Sequence, residues 1–256
     1  MKLTHKLCGA VLLASVGVAL AIPSTTKAVD PDPKATGDMD IQFTRPDENG
    51  SGTLPPNSEF SGSGSISLDI PKKNFGVRYV SPLEFGEAQA TATERTFWAK
   101  KWNVTQETGS LEAPNHVLFT DERSVLDHTY QVTAQITSPL KTTIDGSEHT
   151  LTGSELRYRN LNISTTTADA IALSNDSLVG DATIVESGPE VIVDNSVANN
   201  PTKTKGQGDT YVNFGRLTDN TAENSVSLTI GADQTIAEGK YKGVVTWNIT
   251  VAPTAP

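Results

Sequence analysis

Histidines, carboxylates and tryptophans are the residues of this 256-residue chain whose types could do chemistry. Histidine with serine and an acid would build a nucleophilic triad, and paired histidines a zinc site. No Gly-x-Ser-x-Gly elbow is present, and His116, His128 and His149 stand singly in polar contexts, which reads as surface histidine. Two carboxylates at a set separation would serve a glycosidase. With 30 Asp and Glu in the chain, however, any pair arises by chance. Cys8 is the only cysteine, which excludes a disulfide framework and a cysteine-based zinc site. No glycine-rich phosphate loop sits between a strand and a helix. The inventory predicts no catalytic residue, no metal site and no cofactor.

The three tryptophans are more informative. Trp98 and Trp102 lie in Phe97-Trp-Ala-Lys-Lys-Trp102, and Trp247 lies close to the C-terminus. An aromatic ring on a strand packs a core, or forms a platform on which the apolar face of a sugar stacks. At this level Trp98 and Trp102, flanking Lys100 and Lys101, are candidate stacking aromatics, and both readings stand for Trp247.

The elements that must position these rings are strands. Ile66, Leu68 and Ile70 alternate, as do Tyr130, Val132, Ala134 and Ile136, and Val226, Leu228 and Ile230. The longest series is Tyr241, Gly243, Val245, Trp247, Ile249 and Val251, with Lys242, Thr246, Asn248 and Thr250 opposite. Period-two alternation places each series on one face of a strand. Turn formers such as Asp145-Gly146, Ser187-Gly-Pro189 and Asp219-Asn220 lie between them. No window of helical length shows a 3.6-residue stripe, and Gly86 to Lys100 reads as strand or irregular. The pattern predicts an all-β fold, an antiparallel β-sandwich (Ig-like or related), as one domain over residues 65–256. Residues 165–210 have few apolar anchors and read as a long loop or insertion.

Residues 1–28 have the layout of a secretory signal peptide: Lys2 and Lys6, an apolar run from Ala10 to Ile22, then Thr26-Lys-Ala28. The run is too short for a membrane-spanning helix, so no transmembrane anchor is expected in the mature chain. Residues 29–64, rich in Pro, Gly, Ser and Asp, read as a flexible leader, with one edge-strand candidate at Met39-Asp-Ile-Gln-Phe43. Asp30, Asp32, Asp38 and Asp40 lack the spacing of a calcium loop and read as a solvated acidic tail. Losing the signal removes Lys2, Lys6 and Lys27 and takes the net charge from −10 to −13, with no cysteine left. That charge excludes nucleic acid as a partner.

The ending Tyr241-Lys-Gly-Val-Val-Thr-Trp-Asn-Ile-Thr-Val-Ala-Pro253 resembles the C-terminal signature of the WxL domain, found on surface proteins of low-GC Gram-positive bacteria. Trp247-Asn248-Ile249 stands in the place of Trp-x-Leu. Upstream, Leu83-Glu-Phe-Gly86 is similar to the family, and Leu118-Phe-Thr-Asp-Glu-Arg123 resembles its Val-x-Asp-x-Arg stretch. Where the family carries a first Trp-x-Leu, this chain has Tyr130-Gln131-Val132, which keeps aromatic-x-aliphatic and loses the tryptophan.

The resemblance implies a secreted, non-catalytic protein at the cell surface that attaches noncovalently to peptidoglycan in the cell wall. By resemblance, Trp247, Ile249, Tyr130 and Val132 carry that role, and other surface proteins of the same system are partners. A second reading is an adhesin or structural subunit that binds host or partner surface proteins. An enzyme acting on wall polymers is the third.

Overall fold

The structure is a computed structural model that describes residues 41–42, 51–64, 66–91 and 95–252. Every element below belongs to the unit Phe43–Pro256. The signal peptide, the four leader acids and most of the Met39–Phe43 candidate lie outside the described residues.

In chain order the strands are β1 (Ser51–Gly52), β2 (Ser61–Gly64), β3 (Ile70–Pro71), β4 (Phe75–Val80), β5 (Thr96–Trp98) and β6 (Trp102–Gln106). Next come β7 (Gly109–Ala113), β8 (Asn115–Asp121), β9 (Tyr130–Ile144), β10 (Ser147–Leu151), β11 (Glu155–Tyr158) and β12 (Leu161–Thr165). A single 3-10 turn, Asn175–Ser177, precedes β13 (Ala182–Ile184), β14 (Glu190–Asn195), β15 (Gly208–Phe214), β16 (Val226–Thr229) and β17 (Lys242–Val251). All paired strands run antiparallel, which confirms the all-β sandwich.

Strands β12-β15-β8-β4 form the middle layer, and all seven residues of β8 are buried. Val117 and Phe119 face the main core with Val212 and Phe214 of β15, the β9 series, and Trp247 and Ile249 of β17. On the other face, His116 and Leu118 meet a second layer built from Ile70, Phe60, Tyr79 and Trp102. A strand buried on both faces cannot show alternation. This is why β8 carries no period-two signal.

The long strand β9 holds β17 along one side, while β14 and β10 share the other in succession. Pro139 has no N–H to give the ladder, and the β17 register slips opposite it, between Lys242 and Val245. At the β9–β10 turn, Asp145 and Gly146 both take positive φ (50° and 79°), the two-residue hairpin their types favour.

Three expectations need correction. Residues 165–210 are not one exposed loop. They contain β13 and β14, whose Ala182, Ile184, Ile192 and Val193 are core residues, because short strands buried by partners need few anchors each. The leader does not extend to residue 64. Leu54 and Phe60 pack into the second layer, Tyr211 Oη donates to the Pro55 carbonyl at 2.7 Å, and Asn57 Nδ2 donates to Asn213 Oδ1 at 2.8 Å. Finally, of Ile66, Leu68 and Ile70 only Ile70 joins a ladder, as β3.

Candidate functional site

The two aromatic-x-aliphatic motifs meet. Tyr130 and Val132 begin β9, while Trp247 and Ile249 lie near the end of β17, and the antiparallel register sets Ile249 opposite Val132. Val251 falls opposite Tyr130 and Trp247 opposite Ala134. Residues two apart share a face, as do directly opposed residues, so all four motif side chains point to one side. That side is the core: Tyr130 and Val132 are fully buried, and Trp247 and Ile249 each keep only 8% exposure.

Trp247 packs edge-on against Tyr158, with centroids 5.6 Å apart, and against Phe214 at 5.9 Å. Its indole N–H is buried without a hydrogen-bond partner. Trp247 is therefore a core residue, and the open choice between core and sugar platform falls to core. Tyr130 is held more specifically. Its hydroxyl donates to the Gly206 carbonyl at 3.0 Å, its ring meets Phe75 and Phe119, and burial raises its pKa well above the usual tyrosine value.

The Asp-x-Arg stretch completes this corner. Asp121 ends β8 with a fully buried carboxylate, to which Arg123 donates from Nε at 2.8 Å and from its terminal nitrogen at 2.7 Å. The Arg123 backbone N–H and the His128 ring also face that carboxylate, at 3.2 Å and 3.0 Å. The guanidinium lies over the Phe75 ring, 4.1 Å from its centroid, and the bond to Asp121 raises the Arg123 pKa. A buried carboxylate is tolerable when a fork of charged donors compensates it. Here the fork and the His128 ring tie the end of β8 to the residue seven positions on, just before Thr129 leads into β9, so they help fix where the first motif starts.

Between β4 and β17 runs an open groove of about 360 Å³, lined by Phe75, Val77 and Val80 on one bank and Trp247, Asn248 and Ile249 on the other. Lys73 lies along it and donates from Nζ to the Val77 carbonyl at 2.7 Å, a lysine guarding a strand edge.

The remaining sequence candidates separate. Trp102 is 4% exposed among Phe60, Tyr79 and His116, so it is not a stacking surface: it opens β6 with its ring turned onto the middle layer. Trp98 is 39% exposed, with the Arg159 guanidinium 5.2 Å from its ring centroid. Of the three histidines expected at the surface, two are buried. His116 sits within 5.0–5.6 Å of four aromatic rings, and burial pushes its pKa down to about 4. His128 is 4% exposed on Asp121, while His149 contacts the Thr235 carbonyl and the Tyr241 ring near the surface. The Asp121–His128 pair escapes a sequence reading because its residues are seven apart and are brought together by the turn between β8 and β9. The cue was present in the Asp-x-Arg stretch.

Among the described residues no group of three or more His, Cys, Asp or Glu is placed to hold a metal ion, and no helix is long and apolar enough to cross a membrane. One family model matches the chain, described as WxL domain surface cell wall-binding, over residues 23–253. Neither a curated protein nor a solved structure matches it.

Proposed function

The chain belongs to the WxL family of surface cell wall-binding domains, and from that premise we propose a secreted, non-catalytic protein that attaches noncovalently to peptidoglycan. Residues 1–28 direct its export and are removed. Tyr130, Val132, Trp247 and Ile249 serve attachment by locking β17 onto β9, and the polar surface of the sandwich makes the contacts. The observation that carries this reading is the burial of both motifs in one register-matched patch, within a chain that the family matches nearly end to end.

Electrostatics narrows the kind of contact. A mature charge of −13 repels anionic wall polymers at long range, yet charges are screened beyond about 8 Å at physiological salt. Binding then rests on short-range stacking and hydrogen bonds, and it strengthens or holds as salt rises to physiological levels.

Mixing mature protein (residues 29–256) with purified cell walls and sedimenting them tests the reading. Retention at 50 and 150 mM salt is the expected result, and no retention at either overturns it. Release of reducing sugar or peptide from the walls would overturn the non-catalytic part. Capture of a host or partner surface protein while bare walls retain nothing would establish the adhesin reading instead.

A further inference from the structure

The outer face of the sheet β13-β11-β16-β5 is built differently from the rest of the surface. Its register sets Trp98 opposite Ser227, Ser227 opposite Arg157, and Arg157 opposite Thr183, one row across four strands. The adjoining row is Thr96, Thr229 and Glu155. The alternate rows, Phe97-Leu228-Leu156-Ile184 and Val226-Tyr158-Ala182, face the core. Period two therefore turns the first two rows outward. Trp98, Arg157, Thr183 and Thr96 are exposed, while Ser227, between Trp98 and Arg157, is covered and keeps only 2% exposure.

A tryptophan 39% exposed on a short edge strand contributes less to the core than a buried one would, and the Arg159 guanidinium lies over its ring. Arg157 and Arg159 share the single carboxylate of Asp181, at 3.4 Å and 4.0 Å, with all three side chains about one third to one half exposed. Two guanidiniums share one carboxylate, and with Glu155 in the next row the four charges sum to zero, so the patch is neutral. The mature chain as a whole carries −13.

We propose that this face is the glycan-contacting surface, with a pyranose ring against the exposed part of Trp98 and a carboxylate of the wall polymer on Arg157 and Arg159. The inference rests on the wall-binding reading and names its site. Adjacent strands lie ~4.8 Å apart, so Trp98 and Arg157, two strands apart, are separated by ~10 Å. That is the span of one disaccharide, so the ring and the guanidiniums lie within reach of one repeat of the polymer and its substituent. Peptidoglycan has the matching chemistry: acetylated sugars in alternation, every second one bearing a carboxyl-terminated substituent. Arg stacked on Trp also presents a pre-oriented donor fork.

The test uses residues 29–256 with Trp98→Ala, Trp98→Phe and an Arg157→Gln/Arg159→Gln double variant, each checked for unchanged melting. The probes are purified walls, soluble disaccharide fragments from muramidase-digested peptidoglycan, and neutral N-acetylglucosamine tetramer. Trp102 and Trp247 are buried, so a change in tryptophan emission on adding fragments reports Trp98. The expected result is that emission shifts to the blue in wild type and not in Trp98→Ala. Wall retention falls about tenfold in Trp98→Ala, equivalent to ~1.4 kcal/mol, and less in Trp98→Phe. The arginine variant loses affinity for the acidic fragments and keeps it for the neutral tetramer. Folded Trp98→Ala that binds walls and fragments like wild type overturns this site while leaving wall attachment standing. Wild type that ignores walls overturns wall attachment, and the fragment titration then decides the site independently: no emission change with any glycan overturns it.

Discussion

Replacing Trp247 separates a core role from a contact role. The indole packs on Tyr158 and Phe214 and retains 8% exposure. Truncation to alanine therefore removes a large apolar body and leaves a cavity, costing about 3–5 kcal/mol. For a chain of this size each kcal/mol moves the melting temperature by roughly 2–4 °C, so Trp247→Ala melts roughly 6–20 °C below wild type. Trp247→Phe keeps most of the ring volume. It also deletes an indole N–H that is buried without a partner, and an unsatisfied buried donor costs about 1–3 kcal/mol. The two effects offset, and Trp247→Phe stays within about 1 kcal/mol of wild type. Thermal melts by circular dichroism, run beside wall sedimentation at several temperatures, give the readout. Trp247→Phe sediments like wild type, and Trp247→Ala sediments at low temperature in proportion to its folded fraction, losing retention as it melts. A Trp247→Phe protein with wild-type melting and no wall retention would refute the reasoning, because the indole itself would then be the contact.

Two further predictions concern buried polar groups. Burial holds the His116 pKa at about 4 against an ordinary 6.5, so the folded state keeps the ring neutral while the unfolded state takes up a proton first. Stability from this group is complete above pH 6.5, declines as pH falls from 6.5 to about 4, and is level below, a loss of about 3 kcal/mol. His116→Phe should therefore lose less melting temperature than wild type between pH 7 and pH 4.5, by roughly 5–10 °C, and parallel curves for the two proteins would sink the assignment. At the first motif, Tyr130→Phe leaves the Gly206 carbonyl without its donor and should cost about 1 kcal/mol in urea melts. Tyr130→Trp, which restores the family pattern, should cost about 1–3 kcal/mol by overpacking a fully buried site, and a stabilised Tyr130→Trp would show that the site has slack.

Legibility from sequence followed how each strand is solvated. β17 and the first half of β9 bury one face, so their alternation was plain, and Asp145-Gly146 marked the hairpin after β9. β8 is buried on both faces and carries Asn115, His116, Thr120 and Asp121 inside it, so polar types that usually mark surface marked core. His116 and His128 misled for the same reason. Residues 165–210 read as loop or insertion in sequence because β13 has three residues and β14 six, each too short to show a period of its own. The Phe97–Trp102 stretch could not reveal which tryptophan was exposed. Ala99 to Lys101 interrupt the strands, so a spacing of four no longer fixes the face: Trp98 ends β5 facing out and Trp102 opens β6 facing in.

The departures from the family pattern make physical sense once the motifs are seen as a register lock. In an antiparallel pair, a one-residue slip turns every side chain to the opposite face. β17 slips twice between Lys242 and Val245, then runs in unbroken register with β9 from Val245 to Val251. The motif occupies that unbroken stretch. A lock of this kind needs an aromatic and an aliphatic volume on the core face, which Ile249 supplies as well as leucine would. At 130 the tyrosine is matched by a glycine: Gly206 takes φ +91°, and a Cβ there would come within 2.5 Å of Asn195 and 2.6 Å of the Tyr130 hydroxyl. The hydroxyl fills the corner that a larger ring would overrun, and it bonds the glycine carbonyl in return. What the lock holds constant is the sandwich. Recognition of the wall is then left to whatever the outward rows display, which in this chain includes an exposed tryptophan with Arg159 over its ring and Arg157 two strands away.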